Sequence, residues 1–280
     1  MREQATVMIT VKASPEIGRT HGETVCVAGV RLDGETSEWI RLFPVQWQWF
    51  WHGSHPKYQV VEVGISKHQA DQRPESYRPE LDSVRVVREA STSEERRTAI
   101  NALPQYTMCD LLKAKGWNRP SLGLVVPRTI RGFVVEDHGD DPAHARRMNL
   151  AAQASLLSPS APPLELCPFA FKFQYDCIAA ECNGHTQSIV DWEISEAWRR
   201  WRRTYPDDYL QRIEDKWMSL VRPTREPAFF VGNQHQAPQG FLVLGIARDV
   251  TPRTPTPTAP DVPRTPPAPN TATSEPTLFN

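Results

Sequence analysis

Apolar and polar residues alternate along residues 6–11, 23–31 and 38–45. A two-residue period sends successive side chains to opposite faces, so each run reads as a strand with one face free for a core. The turn Leu32-Asp33-Gly34-Glu35 joins the second run to the third. Residues 58–65 and 83–87 add two more strands, and the set predicts a small, mostly antiparallel, barrel-like sheet. From Ser93 the period lengthens: residues 94–103 and 107–115 read as short helices, the second placing Met108, Leu111 and Leu112 on one face. Strand character returns at 121–127 and 130–136. Beyond it, Ile194, Trp198, Trp201 and Tyr205 recur at helical spacing, as do Tyr209, Ile213, Trp217 and Leu220. Residues 228–232 and 240–246 are continuous apolar runs expected to be buried strands. The expected class is α+β. A β-rich domain with short helices covers 1–137, a linker or bridging helix 138–163, a smaller α+β domain 164–249 and a tail 250–280.

The tail differs in kind. Residues 251–280 hold nine prolines and eight threonines, a composition expected to stay extended and disordered. Elsewhere the chain is balanced, with 32 Lys and Arg against 33 Asp and Glu, so bulk charge demands no polyanionic partner. No apolar run reaches membrane-spanning length and the first residues lack a signal-like core, which predicts a cytoplasmic protein without membrane contact. Five scattered cysteines fit reduced thiols better than a disulfide framework.

Two of those cysteines carry the sharpest chemical signal. Cys177 and Cys182 have four residues between them and lead through Asn183-Gly184 to His185. Two soft thiolates, a turn and an imidazole supply three ligands of a tetrahedral Zn2+ site, a candidate zinc knuckle. His235 is the first choice for the fourth ligand, because it follows the next buried strand; Cys167 is the reserve. Against this stands a plain reading of buried free cysteines and a hydrogen-bonded histidine.

Several arginines suggest a nucleic-acid partner, DNA or RNA. Arg41 lies between Trp39 and Phe43 on one strand face, where rings and a guanidinium would stack on bases. Arg73 and Arg78 sit in a loop stiffened by Pro74 and Pro79, placed to clamp phosphate. Arg199, Arg200 and Arg203 lie off the apolar stripe of their helix and could dock a phosphate backbone. The plain alternatives are an arginine laid over core rings, a loop brace paired through Glu75, and a solvated helix face. The aromatic cluster Trp47, Trp49 and Trp51 reads as core or sheet cover.

As a set, the phrases Glu23–Gly29, Trp39-Ile-Arg-Leu-Phe-Pro44, Arg73-Pro-Glu-Ser-Tyr-Arg-Pro79, Ser121-Leu-Gly123, His185 with Asp191-Trp-Glu193, and Phe229-Phe-Val-Gly232 resemble those of an uncharacterised bacterial and archaeal family. The resemblance covers most of residues 1–247 and implies membership but no activity. It also implies that the histidine before Asp-Trp-Glu persists in members without the cysteines, which draws attention to His185, Asp191 and Glu193. Those three could hold Mg2+ or Mn2+ for phosphodiester cleavage, with Lys172 or Lys216 stabilising charge. The plain reading has Asp191 capping a helix and Glu193 favouring its positive end. A binding role therefore leads, as an accessory protein in DNA repair, replication or defence. Catalysis and a non-catalytic adaptor role follow it. The last residues, Pro276-Thr-Leu278-Phe279-Asn280, partly resemble the Leu-Phe peptides that engage the sliding clamp, so Leu278 and Phe279 are candidate partner-binding residues.

Overall fold

The computed structural model describes residues 2–18, 22–46, 55–67, 71, 73–89, 92–114, 119–142, 144–146, 148–149 and 165–258. The aromatic cluster at 47–51, much of the expected 138–163 bridge, and Leu278 and Phe279 lie outside them.

Six strands form the first sheet: β1 (Arg2–Lys12), β2 (Glu16–Gly18), β3 (Gly22–Arg31), β4 (Glu38–Gln46), β5 (Val60–Lys67) and β6 (Ser76–Arg88). Their order is β1-β5-β6-β4-β3-β2, and β1 also pairs with β3. The alternation read from sequence places β1, β3, β4 and β5 well, because each of them buries an apolar face. Ala5, Val7, Ile9, Val25, Val27, Ile40, Leu42, Val61, Val63 and Ile65 pack on one another as a core of their own. The mostly antiparallel barrel-like domain is corrected to a mixed sheet within an α+β fold: β4 and β6 run parallel at Arg41↔Ser76 and Leu42↔Tyr77. Alternation along a strand fixes its faces and is silent on the direction in which a non-neighbouring strand pairs.

Helix α1 (Ser93–Ala102) follows, opened by a capping box in which the Thr92 side chain accepts from the Glu95 amide and Glu95 returns to the Thr92 amide. The six-residue α2 (Met108–Lys113) is capped by Thr107. Strands β7 (Leu122–Val125), β11 (Ala228–Asn233) and β12 (Phe241–Ala247) form a second sheet in the order β12-β11-β7. A third is built from β8 (Pro127–Asp137), β9 (Phe169–Cys177) and β10 (His185–Ser188), in the order β10-β9-β8. Helices α3 (Trp192–Thr204) and α4 (Tyr209–Leu220) complete the fold. The stripes read from sequence hold in part: Ile194, Trp198, Ile213 and Trp217 are buried, Trp201, Tyr209 and Leu220 are half-buried and Tyr205 is exposed.

The β12-β11-β7 sheet is central because both its faces are apolar. Phe230, Leu244, Leu122 and Leu124 pack on Met8, Val30 and Trp39 of the first sheet and on Ile100 and Leu103. Phe229, Val231 and Val243 face the other way, onto Phe173, Tyr175, Trp198 and Trp217. Sequence segments taken as two domains thus share one sheet. The seam is further joined by a buried polar network in which Arg41 donates to the Ser121 carbonyl at 2.9 Å while Glu75 accepts from the Ser121 amide and hydroxyl at 2.9 and 2.8 Å. The proline- and threonine-rich segment is also tied down at its start. The Thr251 amide donates to Asn101, the Arg253 amide to the Gln105 side chain and the Thr256 amide to the Gln105 carbonyl. Among the described residues no helix is long and apolar enough to cross a membrane.

Candidate metal centre

Strand β9 ends at Cys177, which is fully buried, and the chain turns back through Cys182 to begin β10 at His185. Register fixes this return, with His185 opposite Tyr175 and Gln187 opposite Phe173. The turn needs Gly184: its φ is +95°, and a Cβ there would stand 2.9 Å from the Arg131 guanidinium. Arg131 is itself held by Asp176, Nε–Oδ2 2.9 Å and Nη2–Oδ1 2.7 Å. Across the apolar core, Met108 and Leu111 seat α2 against the same sheets and bring up Cys109.

The result is a group of three sulfurs and one nitrogen, from Cys109, Cys177, Cys182 and His185, all within 4.8 Å of one another. Cys109 Sγ lies 3.6 Å from Cys177 Sγ and 3.5 Å from His185 Nε2, and Cys182 Sγ lies 3.2 Å from the same nitrogen. Ligands at about 2.3 Å for sulfur and about 2.0 Å for nitrogen around a tetrahedral ion would stand about 3.8 Å apart for a sulfur pair and about 3.5 Å for sulfur and nitrogen. The spacing is compatible with a bound metal ion. Backbone amides of Cys177 and Gly184 both point at Cys182 Sγ, each at 3.4 Å, as outer-shell donors to a thiolate would.

The electrostatics agree with ligand chemistry. Burial pushes the Cys109 thiol up to about 12, with the neighbouring Cys177 and Cys182 sulfurs adding to it. Clustered thiols resist ionisation until a cation joins them. Burial also works to raise Cys182, yet the Gly184 and Cys177 amides and the neighbouring thiols outweigh it and leave its pKa below the ordinary value. His185 is held below the usual histidine value by burial, partly opposed by Asp176, so near neutrality its ring is the uncharged form that ligates.

Sequence reasoning brought three of these ligands together and missed the fourth. His235, the first choice, stands elsewhere with its side chain 55% exposed and Nδ1 3.6 Å from Asp71. The reserve, Cys167, packs at the edge of the core but is not in the group. Cys109 lies 68 residues before Cys177; its only signal was a cysteine beside the apolar face of a short helix.

Among the described residues the four-residue group is the one place where three or more such side chains converge. His185, Asp191 and Glu193 therefore do not assemble as a second metal site, because the His185 ring is turned to the sulfurs and the Asp191 carboxylate is committed twice. Its Oδ1 accepts from the Glu193 amide at 3.1 Å as the cap of α3, and its Oδ2 meets Lys57 Nζ at 2.8 Å. Lys57 also reaches Glu193 at 3.2 Å. Burial disfavours the Lys57 charge, but Asp191 and Glu193 more than offset it and raise its pKa above the usual lysine range. Lys172 is paired with Glu136.

The arginines divide. Arg41 is 4% exposed and belongs to the seam, since a residue on the buried face of a central strand has no route to a base. Arg73 is spent on Asp71 at 2.7 Å and on the Asn233 carbonyl at 2.9 Å. Arg199 donates to the Glu165 carbonyl and to Glu196 and lies 4.6 Å from the Trp192 ring centre. Arg203 is exposed but paired with Glu165 at 3.0 Å. Arg78 and Arg200 remain exposed.

A family model for a domain of unknown function, DUF8757, matches residues 104–263, more than half of the chain. This chain belongs to the DUF8757 family. A second domain of unknown function, DUF8758, matches residues 3–102, so all four candidate ligands fall within the DUF8757 segment. No curated protein matches the chain. Among solved structures, one similar chain comes from a replication protein A heterotrimer bound to ssDNA, at 9% identity and a TM-score of 0.33. The match covers 82% of this chain and 43% of that one. A murine DNA binding protein bound with ds DNA is similar at 8% identity and a TM-score of 0.29, over 90% of this chain and 99% of the other. Likenesses this distant carry no argument here.

Proposed function

We propose that this member of the DUF8757 family is a zinc-stapled binding protein without catalytic chemistry at its metal. Cys109, Cys177, Cys182 and His185 would hold Zn2+ as a closed Cys3His site. The carrying observation is the mutual spacing of these four atoms, drawn from α2, β9, the turn and β10. With four protein ligands a tetrahedral ion keeps no open position for water or substrate, which separates a structural site from a hydrolytic one. Elemental analysis of protein purified without added metal tests this reading. About one equivalent of zinc is expected, lost in Cys109→Ala and retained in His235→Ala; less than about a tenth of an equivalent in the unaltered protein rejects it.

For the partner we propose nucleic acid, on the exposed guanidinium groups that the interior does not consume. Arg131 is half exposed at the turn of the cluster, and although Asp176 takes its Nε and Nη2, its Nη1 is left to meet phosphate. Arg78 and Arg200 stay available as well. A role in DNA repair, replication or defence, and clamp contact through Leu278 and Phe279, are finer proposals. The second requires that Leu278→Ala with Phe279→Ala abolish co-migration with the clamp without changing thermal unfolding.

A further inference from the structure

We propose that the Cys3His cluster is also a site of oxidative modification, at which a peroxide joins Cys109 to Cys177 as a disulfide and the metal is released. The inference rests on the zinc reading and goes beyond it by assigning a reaction to two of the four ligands. Three observations carry it. Cys109 Sγ and Cys177 Sγ stand 3.6 Å apart with no bond between them, so a sideways shift of well under a side-chain length makes an S–S bond. Cys109 is half-buried on a short helix while Cys177 is fully enclosed, which gives an oxidant one sulfur to reach and leaves the other poised to attack it. The two remaining cysteines sit outside the cluster. Cys26 touches the Arg41 guanidinium at 3.5 Å, and neither it nor Cys167 belongs to the group whose ligand atoms converge within 4.8 Å.

The chemistry closes in two steps. The Cys109 thiolate attacks one oxygen of hydrogen peroxide; the O–O bond breaks, hydroxide leaves and is protonated to water, and Cys109 becomes a sulfenic acid. The Cys177 thiolate then attacks the Cys109 sulfur, the S–S bond forms and the S–O bond breaks, and the second oxygen leaves as water after protonation. Each sulfur has given one electron to the peroxide, and Zn2+ keeps its oxidation state throughout. With two thiolates removed, Cys182 and His185 alone remain, too few to retain the ion.

The test uses the full chain, purified reduced and assayed for zinc before treatment. Hydrogen peroxide is added in small molar excess, released zinc is followed with a chromogenic chelator, and cysteines are mapped by alkylation and peptide mass spectrometry. About one zinc per Cys109–Cys177 disulfide is expected, with Cys26 and Cys167 still alkylated and with zinc binding restored by reductant. Cys109→His keeps four ligands and removes the disulfide partner, so its zinc release should slow by at least about tenfold. Retained zinc in treated wild type, a disulfide between Cys177 and Cys182 instead, or unchanged release from Cys109→His each overturns the proposal. Absence of zinc before peroxide is added counts against the metal reading alone; the mapped disulfide, formed or not, then still decides the pairing.

Discussion

A neutral imidazole, a shared proton inventory and a few committed guanidinium groups set the behaviour of single residues here. Burial lowers the pKa of His185 in the folded chain. The unfolded chain therefore binds this proton more tightly, and the stability His185 contributes is full above its ordinary value of about 6.5 and declines as pH falls below it. Metal loss runs the same way, since a proton and the ion compete for the same nitrogen. Zinc content after dialysis at stepwise lower pH should fall as protons compete for His185 and the thiolates, and a release curve in His185→Ala identical to that of the unaltered protein would exclude His185 as a ligand. Arg73 and Arg78 make a contrasting pair. Burial acts to raise Asp71, but Arg73 overrides it and holds the carboxyl far below the usual range. Arg73→Ala removes the guanidinium that pairs with that carboxylate and with the Asn233 carbonyl, at a cost of about 3 kcal/mol by thermal or urea unfolding. Arg78→Ala should leave stability within about 0.5 kcal/mol while weakening nucleic-acid retention.

Element by element, α2 is the one that a bound metal would hold most. It has six residues and one side-chain cap, too short to persist on its own hydrogen bonds; Met108 and Leu111 seat it in the core and Cys109 ties it to the β9–β10 turn. Chelation should therefore raise amide exchange across 108–113 and 182–186 and leave β11, buried along its whole length, protected. Equal protection with and without chelator would show that the metal does not hold the helix. α1 is different. Its capping box and the burial of Ile100 and Leu103 are independent of the cluster, so Leu103→Ala should cost about 2–5 kcal/mol with zinc content unchanged.

For the molecule as a whole, two family models meet near residue 103, yet the central sheet gives one face to each side of that boundary. Unfolding of one part would expose Phe230, Leu244 and Leu124 to water, a penalty of about 1.5–3 kcal/mol for each large side chain. A single cooperative transition is expected, with fluorescence and circular dichroism coinciding; two resolved transitions would reject the shared core. The proposed nucleic-acid binding would likewise draw on the whole surface. Filter binding to ssDNA, dsDNA and RNA at two salt concentrations should show affinity falling steeply with salt. Loss of affinity in Arg131→Gln should exceed that in Arg41→Gln once folding is matched. No retention of any of the three at low salt removes the nucleic-acid proposal and leaves the metal centre standing.

Periodicity is a local property, and what it governs was legible in the chain: the strand faces of residues 6–11, 23–31 and 38–45, and the buried stripes of Ile194, Trp198, Ile213 and Trp217. Asp191 as a helix cap and the Cys177, Cys182 and His185 trio were legible too, because each needs only neighbours within a turn or two. Pairing between distant segments was not. Cys109 joins the metal group because α2 packs against β9, Arg41 leaves the surface because β7 and β11 cover its strand, and residues 251–256 are held because Asn101 and Gln105 supply the donors and acceptors their backbone needs. Each of these was decided by burial and hydrogen bonding between parts of the chain that no spacing along it relates.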